Sequence, residues 1–131
     1  MGVQRRLRRN AQWVIKTFTH EQLKTAGLTN DIGLMDMAGG FKIKGVIIRP
    51  TEAFAGTTTY TLSVGITGDL QRYAANYDVM QAANLQDSEP SYLEDWNDVT
   101  SIRLSAISTV ENLDQTTAGI VEVRLLIDVI K

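Results

Sequence analysis

The side chains that carry most enzymatic chemistry are scarce in this chain: His20 is its one histidine, and there is no cysteine to attack a substrate, ligate a metal or form a disulfide. Thr19 precedes that histidine and has Gln22 three residues on, the spacing of a helix capping box. A polar first-turn position therefore accounts for His20 without catalysis. Five acids, Asp87, Glu89, Glu94, Asp95 and Asp98, crowd a segment that holds no basic residue. Calcium gathers carboxylate and carbonyl oxygens, but these acids lack the EF-hand spacing and no glycine turns the run. A solvated or partner-facing loop is the better reading. Glycoside hydrolysis would need two carboxyls in a cleft with different environments, which a run of acids does not supply. Gly39-Gly40 lacks the lysine and hydroxyl residue of a P-loop and the spacing of a dinucleotide fingerprint. The expectation is a protein with no catalytic site, no cofactor and no metal.

Two groups of residues are better suited to holding a partner. Arg5, Arg6, Arg8 and Arg9 fall within the first ten residues, and guanidinium forks grip carboxylates or phosphates through paired hydrogen bonds. Taking these four from thirteen basic residues leaves nine against fifteen acids, so a basic arm precedes a body of net charge −6. The acidic body opposes phosphate, and no aromatic alternates with the arginines, so a protein surface is favoured over nucleic acid. A frayed, solubilising end is the plain alternative. Tyr92 and Trp96, inside the acidic segment, suit interface anchors; stacking on sugar rings in a carbohydrate-binding module is the competing use.

The elements that must position these groups read as strands. At 131 residues, with 44% hydrophobic and 21% charged, the chain suits one soluble domain over residues 11–131, behind an arm at 1–10. No stretch approaches the roughly 20 apolar residues of a membrane span, and the arginines are not followed by the apolar block of a signal peptide. Residues 11–19 are β-branched and aromatic, and His20 to Ala26 reads as a two-turn helix closed by a left-handed Gly27. Residues 31–37 form a weaker strand. Gly39-Gly40 turns into Phe41–Arg49, where Phe41, Ile43, Gly45 and Ile47 share a face and Pro50 ends the ladder.

Residues 58–66 alternate cleanly, with Tyr60, Leu62, Val64 and Ile66 on one side. Leu70, Tyr73, Tyr77 and Met80 recur at three and four residues, which predicts a loop with a short helix over 69–85. Residues 87–98 read as a surface connection with one short strand. Ile102, Leu104 and Ala106 define one strand; Val121, Val123, Leu125, Ile127 and Val129 define a longer one; the two are expected to pair, and the polar stretch 112–119 between them suits a hairpin or a strand-to-strand crossover. Ile107, Leu126 and Ile130 make the nominal outer faces more apolar than solvent requires. Six to eight strands with short turns and no long amphipathic helix indicate an all-β fold, an antiparallel β-sandwich of jelly-roll type with one or two short helices.

Several of these stretches together, Phe54-Ala-Gly-Thr-Thr-Thr-Tyr-Thr-Leu-Ser-Val-Gly-Ile-Thr-Gly-Asp-Leu-Gln-Arg-Tyr73, Tyr77-Asp-Val-Met-Gln-Ala82, Thr100-Ser-Ile-Arg-Leu-Ser-Ala106 and Asn112-Leu-Asp-Gln-Thr-Thr-Ala-Gly119, resemble the small β-sandwich structural proteins of tailed phages and prophages. The resemblance spans roughly residues 30 to 131 and leaves the arginine arm outside. It implies a virion component without enzymatic activity, assembled in the host cytoplasm in many copies. Its partners would be other virion proteins, the major capsid protein or tail and neck subunits, and further copies of itself, with a trimer the expected oligomer. A capsid decoration or cement protein is the first expectation; a tail, neck or fibre protein is the second, since all use small β-sandwiches.

Overall fold

The computed structural model describes residues 10–37, 40–81, 86–90, 92–93 and 99–129. Nine strands occur in chain order: β1 (Asn10–Thr19), β2 (Thr29–Met37), β3 (Phe41–Ala55), β4 (Thr61–Ile66), β5 (Asp69–Asp78), β6 (Gln86–Ser88), β7 (Tyr92–Leu93), β8 (Thr100–Ile107) and β9 (Ala118–Val129). One helical turn, α1 (His20–Leu23), follows β1, and a 3₁₀ turn at Leu113–Gln115 precedes β9. Two antiparallel sheets result. Sheet A runs β1-β9-β3-β6, with β7 also pairing β3, and sheet B runs β2-β8-β4-β5. That order, in which the chain repeatedly changes sheet, is the double Greek key of a jelly roll.

The sheets close over one apolar interior. Val121, Val123, Leu125 and Ile127 of β9 are buried on one side, Ile102, Leu104 and Ala106 of β8 on the other, with Phe41, Ile43, Phe54, Tyr60 and Leu62 between the remaining strands. Phe54 and Tyr60 meet with ring centroids 4.6 Å apart in a tilted pair. β8 and β9 therefore face one another across the core and do not pair: β8 lies between β2 and β4, and β9 between β1 and β3. Their matching alternation reflects a shared core rather than a shared ladder. Residues 112–119 are a crossover between sheets, not a hairpin.

Three further expectations change for local reasons. The helix stops at Leu23, and Lys24 is already extended. Asp114, Leu113 and Ser108 donate their amides to the carbonyls of Thr25, Gly27 and Leu28, which draws that backbone out of the helix, and Gly27 is not left-handed. The capping box is present, with Gln22 Oε1 accepting the Thr19 N–H at 2.8 Å. Along β3 a bulge between Ile43 and Gly45 exchanges the two faces, so Phe41 and Ile43 point inward before it and Val46, Ile48 and Pro50 are buried after it, while Ile47 turns outward. Pro50 does not end the strand: it pairs with Val121 next to a second bulge, where the ladder is already irregular.

Residues 69–78 form a strand and not a loop with a helix. Its register against β4 shifts twice, between Leu62/Val64 and between Val64/Ile66, and Asn76 has φ 56°. Inserted residues at such bulges turn a period of two into the three- and four-residue spacing that mimics a helix.

Lys16 occupies an inward-pointing position on edge strand β1, and its Nζ donates to the Leu34 carbonyl of β2 at 2.7 Å. A charge pointing inward at the rim discourages another strand from adding there and ties the two sheets together.

Gly119, at the entry to β9, has φ 147°, and a Cβ there would fall 2.5 Å from the Phe54 ring; its N–H donates to Glu52 Oε1 at 3.0 Å. Gly68, in the β4–β5 turn, has φ 89° with open space around it. Gly119→Ala should therefore cost about 3 kcal/mol or more from strain plus overlap, and Gly68→Ala about 1 kcal/mol from backbone conformation alone. Urea unfolding of the two variants checks the difference; equal costs would show that the Phe54 contact does not constrain the crossover.

Candidate functional site

The residues proposed from sequence divide by position. Arg5, Arg6, Arg8, Arg9 and Trp96 lie outside the described residues, as do Glu94, Asp95 and Asp98. Tyr92 lies in β7, where its backbone pairs with Ile43. His20 sits in the first turn of α1, with Nδ1 3.4 Å from the Gly119 carbonyl and Nε2 3.2 Å from Glu21, and so fastens the helical turn to the start of β9. Among the described residues no three acids or histidines converge as metal ligands, and no described helix is long and apolar enough to cross a membrane. Tyr60 is buried in the core, where loss of hydration pushes its phenol well above the usual range and keeps it neutral. Gly40 adopts φ 82° ahead of β3, as a turn glycine would, and Gly39 is outside the described residues.

What the sheets do assemble is an apolar outer face. Register brings Trp13 of β1 beside Leu126 of β9 and Gly45 of β3, and the next outward row holds Ile15, Arg124, Ile47 and Asp87. Trp13 is 48% exposed and Ile15 53%, large apolar groups on the solvent side of a folded sheet. The indole lies against the Gly45 backbone: a Cβ there would touch both the Trp13 ring and Leu126, each at 3.4 Å. Glycine thus leaves a shallow notch of about 190 Å³ walled by Trp13, Ile47 and Leu126 and rimmed by Lys44, Asp87 and Glu89. Lys44 also lies 3.9 Å from the buried Asp128 carboxylate, and Arg124 is held by Glu122. An apolar centre with a charged rim is the usual anatomy of a protein-docking patch.

Leu126 and Ile107 were legible as excess apolar residues on outer faces, whereas Trp13 and Ile15 were not singled out. The signal was that β1 carries large apolar groups at both parities, Trp13 and Ile15 against Val14 and Phe18. A strand needing only one buried face has no reason for the second set.

The opposite sheet offers a second concavity. A trough of about 630 Å³ runs over the outer face of sheet B, between the edge of β2 at Thr29–Asp31 and the start of β5, with Ser105 and Ile107 of β8 as its floor. Ser105 is 4% exposed, and its Oγ has no hydrogen-bond partner among the described residues.

No family model and no curated protein sequence matches the chain. Solved structures do. A chain of the cyanophage Pam1 capsid asymmetric unit superposes with a TM-score of 0.65 at 16% identity, covering 94% of this chain and 87% of that one. A chain in the capsid of Ralstonia phage GP4 gives 0.62 at 17% identity, covering 93% and 86%. At this identity the likeness is one of fold, and it extends over nearly the whole sandwich.

The contrast between the two faces of sheet A can be measured. Ile15→Thr, on the outer face, should change unfolding free energy by less than about 1 kcal/mol, and Ile43→Thr, on the inner face, should cost about 3 kcal/mol. Urea denaturation of both variants checks this; a large loss at Ile15 would mean that the outer face serves the fold rather than a partner.

Proposed function

We propose that the chain is a structural protein of a phage virion, and within it a capsid decoration or cement protein that stabilises the shell by covering it. The observation that carries this reading is the exposed apolar face of sheet A, contiguous in sequence with the arginine arm: Arg9 is four residues from Trp13 and six from Ile15, on the strand that opens the sandwich. The likeness of the fold to chains in two phage capsids supports a place on a particle, and capsids rather than tails are the assemblies in which those neighbours sit. Wetting a tryptophan and several aliphatic residues has no benefit to an isolated monomer, whereas burying them against a shell supplies the area that stable association needs. The arm, opposite in charge to the body, grips an adjoining subunit and adds electrostatic complementarity at the rim. The working form is a homo-oligomer, with a trimer the form expected, and the chain acts by binding and not by catalysis.

The test uses purified full-length chain and particles stripped of it. Trp13→Ala together with Ile15→Ser should weaken rebinding by about 30-fold or more, the loss of a central apolar anchor, while circular dichroism stays unchanged. Deleting residues 1–9 should strip the chain from particles with the fold retained. Full occupancy by the deletion variant would remove the arm from the binding surface, and unchanged affinity of the double variant would remove the sheet A face. A copy number of about six or twelve per particle, in place of hundreds, would move the chain to a neck or tail ring.

A further inference from the structure

We infer that the notch on the outer face of sheet A seats an extended, basic segment of another virion protein, one that presents an aliphatic side chain to the notch and a lysine or arginine beside it. The inference rests on the proposed reading that this face docks on the shell, and it states the chemistry of the partner.

The notch has a fixed frame. Gly45 is its floor, and Trp13, Leu126 and Ile47 are its apolar walls, around a space of about 190 Å³ that admits a single side chain. Its remaining side is β6, and side chains decide how β6 sits. Gln86 accepts the Asp78 N–H at 3.1 Å and donates to the Asp78 carbonyl at 2.6 Å, and the Ser88 hydroxyl donates to the Tyr73 carbonyl, so both residues hold β6 to β5. With those two turned toward the other sheet, Asp87 between them faces outward beside Ile47, and Glu89 joins it on the notch rim. Both acidic residues are exposed.

The charges around the notch do not cancel. Lys44 faces the buried Asp128 carboxylate at 3.9 Å, and Arg124 is held by Glu122. Asp87 and Glu89 have no ion-pair partner among the described residues. The β6 rim of an apolar hollow is therefore left negative. A purely apolar or acidic segment laid there would take water from both carboxylates and return nothing, a cost that a lysine or arginine removes. An aliphatic side chain alone accounts for the hollow and not for its rim; a cation alone accounts for the rim and not for the hollow. In an extended chain, residues two apart lie on one side, about 7 Å from each other, so alternate apolar and basic residues meet both. A nucleic-acid backbone has the wrong sign for this rim, and the same face of a second copy would bring the same two acids against it.

Rebinding of the purified full-length chain to stripped particles reads the rim and the hollow separately. Asp87→Lys with Glu89→Lys should weaken rebinding by at least about tenfold, and Asp36→Lys with Asp114→Lys, an equal change of charge at exposed positions elsewhere, by less than about twofold. Gly45→Ala, which raises the floor against Trp13 and Leu126, should weaken it by about tenfold with circular dichroism unchanged. The native chain has no cysteine, so Lys44→Cys can carry a single benzophenone label. Illuminated on the particle, the label should join a segment of another protein in which a lysine or arginine lies within two residues of an aliphatic one, as mass spectrometry of the joined peptides will read. Equal losses from the two charge reversals, or a joined segment without a basic residue, overturn the basic partner. Joining to this chain itself overturns another protein as the occupant. Should Gly45→Ala fail to fold, the charge reversals and the label decide. If the charge reversal at the rim and Gly45→Ala leave rebinding intact while Trp13→Ala with Ile15→Ser weakens it, the notch is lost and the apolar face stands; if that last variant also binds as the native chain does, the face falls as well.

Discussion

The long strands of this chain each turn an apolar side to the interior, and that side can be removed from water only if a second sheet lies across from it at the usual packing distance of about 10 Å. The requirement decides the path of the chain. Apart from β4 and β5, which form a hairpin, and β6 and β7, which share the edge of β3, successive strands lie in opposite sheets. β8 and β9 become the two central walls of the interior, and every crossover must be long enough to pass from one layer to the other. The crossover before β9 is fixed in turn by small features that leave little freedom. Glu111 accepts hydrogen bonds from the Thr58 N–H and hydroxyl, Gly56 and Gly119 take conformations that a side chain would strain, and Leu113 is buried in the core.

With the inner faces committed to one another, what remains for partners is the outer faces and the edges, and the chain treats them differently. The β1 edge is guarded by Lys16, which points inward and binds the Leu34 carbonyl. Along the other edge of sheet A, among the described residues, β6 pairs with Val46–Ile48 and β7 with Lys42 and Ile43 of β3. The outer face of sheet A, by contrast, is left apolar around Trp13, and the outer face of sheet B is folded into a trough by β5. Under the proposed function, recognition falls on a face whose shape is set by side chains and register, where specificity comes from fit rather than from generic backbone pairing.

How far the sequence disclosed this follows from what strand periodicity records. It records which residues point inward, so the sandwich class, the inward rows of β4, β8 and β9, and the excess of apolar groups on the outer faces were all readable. It does not record which strand lies beside which, and β8 and β9 looked like partners because residues facing one core alternate alike. Bulges defeat it altogether. One extra residue near Lys44 moved Val46 and Ile48 inward in place of Ile47, and the insertions in β5 produced a helical spacing in a strand. The termination of α1 depended on amides more than eighty residues away, at Leu113 and Asp114, which no local signal reveals. The docking face was half visible for the same reason: parity shows that Leu126 faces outward, but only register places it beside Trp13 and Gly45.

The position of β9 sets the order in which the molecule can come into being. As the strand between β1 and β3, it is the strand on which β1 pairs and the one that joins β1 to β3, and it follows the other described strands in sequence. Until it is in place, β1 has no ladder to join, and the apolar side of sheet B has only the β3 side of sheet A to close against. Folding consequently waits for β9 and is governed by contacts distant in sequence, the slow regime for β proteins. The apolar face of sheet A inherits that dependence, because Trp13 acquires its neighbours Leu126 and Gly45 in the same step, and without β9 that face does not exist.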